Sequence, residues 1–447
     1  MTGVGWNLAD RLDAEEVNAM RMNKQLVSLI SAALLATPVA AIAAGPTGEN
    51  APIGADLQEL LQWADTHNPE LAAMRYEIDA AGERIQPAGA LPDPVLRVEL
   101  QDFAGPGAPD SFNPLPGKGD GTKYTLMQSI PLWGKRDLRQ EVATAQLSQV
   151  MGQRQGVLLE IHGRIKTAYA EYFQATGMKR LNEEILRLLN DLDAVTQVRY
   201  VGGLVPQQDV IRAQVEKTTL RSEIINLEAE QHHAMTRLNT ALGRPQHAPM
   251  TEPQALRDVA PGKLNPSTLQ DKISRNNPQL ATQAAQIAVA DANRRLVEKN
   301  RYPDVTLGIA PIQRGGNIDR WEAMLEVNIP IRFDTRRAQE SEATAMLAAA
   351  RERRQAISNQ VSGDLQEALV ALQAAKRQVQ LINDTLLPQV ELAFKSALAG
   401  YESGKVDFAT LLDAQRAIKR ARQDKLKAQV EQELRLSEIE KIVGEEL

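Results

Sequence analysis

The stretch GYESGKVDFATLLDAQ (Gly400–Gln415) has a looser copy, RYVGGLVPQQDVIRAQ (Arg199–Gln214), earlier in the same chain. Three matched residue pairs in the two stretches are each 201 residues apart: Tyr200 and Tyr401, Gly203 and Gly404, and Gln214 and Gln415. This constant spacing indicates an internal repeat. In both stretches a glycine separates two helix-forming segments, which predicts a turn that joins two helices.

The composition indicates a mostly helical protein. The chain has 447 residues, a net charge of −6 and only 4% aromatic residues, and long stretches are rich in Ala, Leu, Gln, Glu and Arg. The mild acidity argues against a nucleic-acid partner, which would require a basic stripe. Because the chain has no cysteine, we expect no disulfides, no thiolate metal site and no lipidated N-terminal cysteine.

Residues 22–44 are predicted to form a secretory signal peptide. Arg21 and Lys24 supply the basic start, Leu26–Ala36 is apolar, and Ala41-Ile42-Ala43 has the small-residue pattern of a cleavage site. The alternative is a transmembrane anchor. A membrane span needs about 20 apolar residues, and this run is shorter.

Residues 1–21 precede the expected signal peptide. Their acidic and polar character differs from the basic start of such a peptide. We therefore expect a non-native or wrongly assigned extension, with translation starting at Met20 or Met22.

Two proline-poor segments predict unusually long helices. Asp137–Tyr200 contains no proline, and a continuous helix of that length would be about 96 Å long. A second segment, Thr335–Gly400, is interrupted only by Pro388, where we expect a kink or break. Each long helix is followed by a turn and another apolar-periodic helix, so helical hairpins are predicted at about 137–243 and 335–443. No segment after the signal peptide has eighteen consecutive apolar residues, so no membrane-spanning helix is expected.

Four shorter segments, at about 94–103, 122–132, 304–312 and 321–331, alternate between apolar and polar residues and are predicted to be strands. Strands of about ten residues with one apolar and one charged face, in an exported chain, indicate an outer-membrane barrel. A sandwich or a helix-covered sheet would also alternate and remains open as an alternative. The residues predicted to face the membrane lipid are Leu96, Val98, Leu100, Leu126, Ile130, Val305, Leu307, Trp321, Leu325 and Val327.

The four strands are expected to pair as two hairpins and to need further strands from other chains. A long loop, Asp102–Thr122, and a shorter one, Gln313–Arg320, are the expected cell-exterior ends. Four strands cannot close a barrel, and unpaired edges in hydrocarbon cost several kcal/mol per group, so oligomerisation has to supply the rest. The repeats are then 45–250 and 251–447, each with one strand hairpin and one helical hairpin.

Several motifs resemble those of the TolC-like outer-membrane factors. Besides GYESGKVDFATLLDAQ they are NPEL (Asn68–Leu71), NPQL (Asn277–Leu280), QSIPLWGKRD (Gln128–Asp137) and VNIPIRFDTRR (Val327–Arg337). The resemblance implies a homotrimer in which each chain gives four strands to a twelve-stranded barrel, continued by twelve helices as a periplasmic tunnel. Within the family, IPLWGKRD is most similar to the CzcC-like branch. Many relatives carry a lipidated cysteine, which this chain lacks.

The resemblance also implies a function and partners. The chain would be the outer-membrane exit duct of a tripartite efflux pump, working with a periplasmic adaptor (a membrane fusion protein) and an inner-membrane pump of the resistance-nodulation-division type. The CzcC-like branch implies heavy-metal cations as cargo. Drug efflux, type I protein secretion and a periplasmic coiled-coil scaffold remain as alternatives.

Two sets of residues are candidate functional sites. The expected adaptor-docking tip consists of two turns, Gly203-Leu204-Val205 and Gly404-Lys405-Val406; the alternative is a simple helix cap with its apolar contact. A lumen gate of carboxylates is expected at Asp209 and Asp413 from the family's acidic rings, although Thr410 stands where some relatives have a second aspartate. The alternative for both carboxylates is a solvated helix surface.

No catalytic motif was found. The five histidines, His67, His162, His232, His233 and His247, include no pair with i,i+4 spacing, so neither a metal site nor a cofactor is predicted. The chain also lacks a phosphate-binding loop, a nucleophile elbow and a dinucleotide-binding fingerprint. The protein is therefore expected not to be an enzyme, and its partners must supply the energy for transport.

Overall fold

A computed structural model describes residues 53–101, 121–257, 261–314 and 317–447. These residues belong to one compact unit that comprises Ala51–Leu447. The predicted extension 1–21, the predicted signal peptide 22–44 and most of the Asp102–Thr122 loop lie outside the described residues. None of the helices in the described ranges combines the length and the apolarity that crossing a membrane requires.

The first half of the chain contains three short helices, two strands and two long helices. They are α1 (Leu57–His67), α2 (Pro69–Glu83), α3 (Ile85–Gly89), β1 (Val95–Gln101), β2 (Gly121–Ile130), α4 (Lys135–Val201) and α5 (Gln207–Leu242). The helix α4 is 67 residues long. The predicted hairpin at about 137–243 corresponds to α4 and α5.

The second half repeats the main order of short helices, two strands and long helices. They are a 3₁₀ turn (Pro261–Leu264), α6 (Pro266–Asn276), α7 (Pro278–Lys299), β3 (Val305–Arg314), β4 (Asn317–Val327), α8 (Phe333–Leu381), a π-helical turn (Ile382–Leu386), α9 (Leu387–Glu402) and α10 (Phe408–Val443). The predicted hairpin at about 335–443 corresponds to α8–α10.

The long helix of the second half is interrupted just before Pro388. Proline has no N–H to donate to the carbonyl of Asp384, and its ring crowds that carbonyl. The π-helical turn contains Asp384, and α9 begins with Pro388 in its first turn. The irregularity therefore spans Ile382–Leu386, about one turn earlier than the proline itself.

An asparagine followed by a proline lies at a matching helix junction in each half. Asn68 and Asn277 are buried, and each side-chain oxygen accepts a hydrogen bond from backbone N–H groups of the helix that follows. The side-chain amide of Asn68 donates to the Ala241 carbonyl (3.0 Å), and that of Asn277 donates to the Ile442 carbonyl (2.7 Å). Each asparagine thus ties the end of α5 or α10 to a helix junction.

The four strands form one antiparallel sheet in the order β1-β2-β3-β4. The register places Leu96 opposite Leu126, Leu126 opposite Ile309, and Ile309 opposite Ala323. A bulge lies between Ile312 and Gln313. Within the described residues, β1 and β4 each have one edge without a strand partner.

The strand β4 lies earlier in the chain than its prediction. It runs over Asn317–Val327, whereas 321–331 was expected. The hairpin register continues to Arg314 opposite Asn317, so the Gln313–Arg320 loop is shorter than expected, and its residues 315–316 lie outside the described residues. Pro330 has no N–H for a strand ladder, which is consistent with the strand ending before it.

Three clusters of buried apolar side chains hold the helices together. One packs α1 and the end of α5 against α4 around Leu60, Ile161 and Leu238. A second packs α4, α5, α9 and α10 near the two interhelical turns, with Phe408 fully buried. The third packs α6, α8 and α10 around Leu365. The second cluster therefore contains side chains of both helical hairpins.

Candidate functional site

The two interhelical turns have the same backbone geometry. Gly203 and Gly404 both have positive φ, at 68° and 73°, a conformation that glycine adopts without steric cost. The N–H of Leu204 donates to the Arg199 carbonyl, and the N–H of Lys405 donates to the Gly400 carbonyl, both at 2.8 Å. These bonds satisfy carbonyls at the ends of α4 and α9, as in a Schellman-type helix end.

The side chains of the turns differ in their exposure. Leu204 is 71% exposed, and Lys405 is also exposed. Val205 is half-buried and packs against the apolar cluster between the hairpins, and Val406 is half-buried as well. The contact of Val205 agrees with the capping alternative for that residue, whereas Leu204 is accessible to a partner.

Arg199 joins the two turns to each other. Its guanidinium donates to the backbone carbonyls of Tyr401 (2.5 Å) and Glu402 (3.2 Å), and it lies over the Tyr401 ring at 4.8 Å from the ring centre. The Tyr401 hydroxyl is 3.2 Å from the Thr196 hydroxyl, and its ring packs against Phe408. The sequence predicted no role for Arg199 or Tyr401, although both belong to the stretches that define the repeat.

The two predicted gate carboxylates lie in different environments. Asp413 is exposed on α10, with its Oδ1 3.6 Å from Arg416 Nη1. Asp209, in the first turn of α5, is 8% exposed. Burial raises the pKa of Asp209, and the nearby Asp407 carboxylate raises it further, while Arg212 lowers it.

Asp407 is a carboxylate at the tip that sequence analysis missed. It is the N-cap of α10, and its Oδ1 accepts hydrogen bonds from the Thr410 hydroxyl (2.6 Å) and the Thr410 N–H (3.0 Å). These bonds lower the pKa of Asp407. An aspartate three residues before a threonine, where a helix begins, is a recognisable capping signal. Asp407 is also the carboxylate whose negative charge raises the pKa of Asp209.

The ten residues predicted to contact lipid lie on one face of the sheet. Most are exposed, with Leu96, Trp321 and Leu325 between 63% and 67% exposed, whereas Leu100, Ile130 and Val305 are half-buried. On the opposite face, Lys123 forms an ion pair with Glu322 (2.7 Å). The sheet thus separates an apolar face from a face that carries charge.

A buried polar network connects the two halves of the chain. Arg257, in the segment between α5 and the 3₁₀ turn, donates to Glu433 (2.7 Å) and to Glu440 (2.8 Å) on α10, and Lys166 of α4 also donates to Glu440 (2.7 Å). Burial raises the pKa of Glu433. Burial would also raise the pKa of Glu440, but hydrogen bonds from Arg257 and the charge of Lys166 leave it below its usual value.

A family model described as "Outer membrane efflux protein" matches residues 60–244 and 269–445, which together are most of the chain. The chain belongs to the outer membrane efflux protein family. The resemblance proposed from the sequence motifs is therefore confirmed. Members of this family are channels and not enzymes, and this efflux protein resides in the outer membrane with a large helical portion in the periplasm.

Two relatives cover most of this efflux protein. It is 27% identical over 379 residues to the cobalt-zinc-cadmium resistance protein CzcC of Cupriavidus metallidurans. The aligned region covers 82% of this chain and 84% of CzcC. It is 23% identical over 411 residues to the pyoverdine export outer membrane protein OpmQ of Pseudomonas putida. The aligned region covers 84% of this chain and 83% of OpmQ.

Solved structures show that the efflux protein has the fold of known outer-membrane channels. VceC of Vibrio cholerae superposes with a TM-score of 0.73 at 17% identity, over 87% of this chain and 96% of VceC. CusC superposes with a TM-score of 0.73 at 16% identity, over 89% of this chain and 95% of CusC. The mostly helical class and the four-stranded sheet predicted from sequence are confirmed.

Proposed function

We propose that the protein is the exit duct of a tripartite pump that expels heavy-metal cations. It would receive them from an inner-membrane transporter of the resistance-nodulation-division type through a periplasmic adaptor, and it would conduct them passively. The observation that carries the channel part of the proposal is the four-stranded sheet. Its apolar face is exposed, and its two edges have no strand partner among the described residues.

The outer edges of β1 and β4, which have no partner strand in the part of the chain that the structure describes, support a homotrimer. Backbone N–H and C=O groups left unpaired in hydrocarbon cost several kcal/mol each, so a membrane sheet has to close on itself. Pairing β1 of one chain with β4 of the next would join three sheets into twelve strands with no free edge. The exposed apolar face would then meet outer-membrane lipid, and the face with Lys123 and Glu322 would line the lumen.

The matched halves support the proposal of two repeats. Each half has an asparagine-capped helix junction, two strands, a long helix and a glycine turn of the same geometry. Six helical hairpins around a three-fold axis would continue the barrel as a tunnel of twelve helices. Each chain would contribute two turns to the periplasmic end.

These turns are proposed to dock the adaptor. The exposed Leu204 and Lys405 offer an apolar and a charged contact, and six such turns would form a ring.

The proposed gate lies just inside this end of the tunnel. It consists of Asp413, whose carboxylate is exposed, and Asp209, whose pKa is raised in part by the charge of Asp407. Three copies of each carboxylate near a narrow pore would attract cations.

The heavy-metal cargo rests on the similarity to CzcC, which is a cobalt-zinc-cadmium resistance protein. The similarity to OpmQ, a pyoverdine export protein, supports export of an organic molecule as the second candidate. A strain that lacks this protein should become sensitive to cobalt, zinc or cadmium ions if metals are the cargo. Unchanged metal tolerance together with lost export of an organic compound would favour the second candidate.

Introduced cysteines test the trimer and the channel together. Because the chain has no cysteine of its own, one cysteine scanned along β1 and one along β4 would report only the proposed contact between neighbouring edges. We expect oxidation in outer membranes to trap a species of three chains, and we expect the purified protein to conduct cations in a planar bilayer.

The control is a cysteine pair on β2 and β3, which are already paired within one chain and should give only intramolecular links. Recovery of monomers alone from every β1 and β4 pair would contradict the trimer.

Replacing Asp413 or Asp209 with Ala should reduce cation selectivity or block by multivalent cations. Unchanged conductance in both variants would contradict the gate and leave the channel assignment intact.

A further inference from the structure

The chain folds back on itself directly after α5. The helix ends at Gly243, and the N–H of Ala248 donates to the Pro245 carbonyl (2.9 Å), which closes a tight turn. This turn contains His247. It brings the ring of His247 next to the ring of His232, which lies on α5 fifteen residues earlier in the chain.

A buried asparagine fixes the backbone on both sides of His247. The Asn239 side chain is fully buried, and its amide donates to the Ala248 carbonyl (2.9 Å) and, over a longer distance, to the Gln246 carbonyl (3.4 Å). Asn239 lies seven residues after His232, which is about two helical turns, so the two side chains share one face of α5. The anchor of the turn and His232 are therefore on the same rigid helix.

The two imidazole rings have a separation that suits a shared metal ion. Their centres are 6.1 Å apart and their planes differ by 16°, so the rings are stacked. An imidazole nitrogen binds a metal ion in the plane of the ring, so sharing one ion requires one ring to turn about its Cβ–Cγ bond. Because a Zn–N bond is about 2.0–2.1 Å long, two imidazoles that bind one ion have centres roughly 5–6.5 Å apart. Both residues are exposed, and within the described part of the chain neither ring makes a hydrogen bond that an ion would have to replace.

We propose that His232 and His247 form a binding site for one divalent cation of the zinc, nickel or copper class. Imidazole nitrogen suits these ions, whereas magnesium and calcium prefer oxygen ligands. No group of three or more metal-ligating side chains occurs in the described ranges, so water completes the coordination and the ion remains exchangeable. A bound ion would tie the segment that leads into the second half of the chain to α5.

The site does not depend on the proposed cargo of the channel. It uses side chains at the end of α5, far along the chain from the turn that contains Leu204 and from the strands. The neighbouring His233 provides a matched control, because it is exposed on the same helix and instead lines a separate cavity with Glu171 and Arg237.

Metal titration of the full-length protein without an affinity tag tests the site. With Ni²⁺ or Cu²⁺ in calorimetry, we expect about one ion per chain, and with Cu²⁺ we expect an electron paramagnetic resonance signal with nitrogen hyperfine coupling. Replacing His232 or His247 with Ala should each weaken binding by about tenfold or more, since each removes one of only two protein ligands. His233→Ala should bind as the wild type does, and Ca²⁺ should not bind.

A second readout does not depend on titration heats. Ni²⁺ should raise the apparent unfolding temperature of the wild type and of His233→Ala, because an ion that binds only the folded state stabilises it. It should not do so for the double variant His232→Ala/His247→Ala, whose metal-free circular dichroism spectrum and unfolding temperature should match the wild type. Equal affinity of the wild type and the double variant, or an equal loss in His233→Ala, would overturn the site.

Discussion

Burial changes the pKa of individual side chains in this protein, and Tyr169 is an example. It is 1% exposed on α4, and its hydroxyl lies within hydrogen-bond distance of the Ala55 and Ala255 carbonyls (3.1 and 3.0 Å). Burial raises the pKa of Tyr169 to about 12. The phenol thus links the start of the described chain to the segment that joins the two halves.

This raised pKa predicts a pH dependence of stability. A tyrosine in the unfolded chain has a pKa of about 10, so its contribution is fully present below that pH and is lost as pH rises towards 12, by roughly 2–3 kcal/mol. Denaturant unfolding followed by circular dichroism between pH 8 and pH 12 should show a shallower alkaline decline for Tyr169→Phe than for the wild type. Tyr76→Phe, at an exposed position, is the control. Parallel curves for wild type and Tyr169→Phe would contradict the assignment.

At the scale of elements, the interhelical turns combine a rigid frame with one free apolar side chain. Arg199 and the two positive-φ glycines hold the frame, and Val205 is packed inward. Leu204 is the exposed apolar residue of the turn. This division separates residues that shape the turns from a residue that is accessible to the proposed adaptor.

Replacing Leu204 with Asp should therefore impair function without loss of stability. The change removes no buried contact, so the unfolding temperature should stay the same, while adaptor binding should weaken by about tenfold or more because a charge replaces an apolar contact. Adaptor co-purification and affinity measurements with purified partners check this. Val205→Asp is the counterpart, and it should lower the unfolding temperature because it places a charge against an apolar cluster. Full adaptor affinity in Leu204→Asp would show that the tip docks in another way.

For the whole molecule, the buried network around Arg257 is one of the features that join the two halves. Glu433 and Glu440 are almost fully buried, and their charges are balanced by Arg257 and Lys166. A balanced set of buried charges is tolerated because each ion has partners. Loss of one cation leaves an excess of negative charge in a region with little water.

Arg257→Ala should consequently destabilise the protein by about 3–5 kcal/mol, the usual cost of breaking a buried ion pair. Adding Glu433→Gln to this variant should recover part of the loss, since Lys166 and Glu440 then remain as a balanced pair. Denaturant unfolding of the single and double variants measures both effects. A double variant that is less stable than Arg257→Ala would mean that charge balance is not the reason for the network.

Residue patterns along the sequence predicted the helices and strands well, but they did not predict contacts between residues that are distant in the chain. Alternation in residues such as Leu96 and Val98 reports which face of a strand is apolar, and Pro388 reports a helix irregularity, because both effects act within a few residues. The contact of Arg199 with Tyr401 and the proximity of His232 to His247 depend on how elements pack. Spacing along the chain carries no such information, and the same limit applies to Asp209, whose burial only the packed hairpins produce.

The edges of β1 and β4 that have no strand partner in the described residues also bear on how the proposed trimer would reach its membrane. A single chain would expose unpaired peptide groups to hydrocarbon, so we expect insertion and assembly to occur as one event. The rate of that event then depends steeply on the local concentration of chains, and slow delivery leaves unassembled protomers in the periplasm as substrates for proteases. If three chains close the barrel as proposed, one chain with a damaged edge would inactivate the whole trimer that it joins. A defective allele expressed beside an intact one should then inactivate far more than half of the channels.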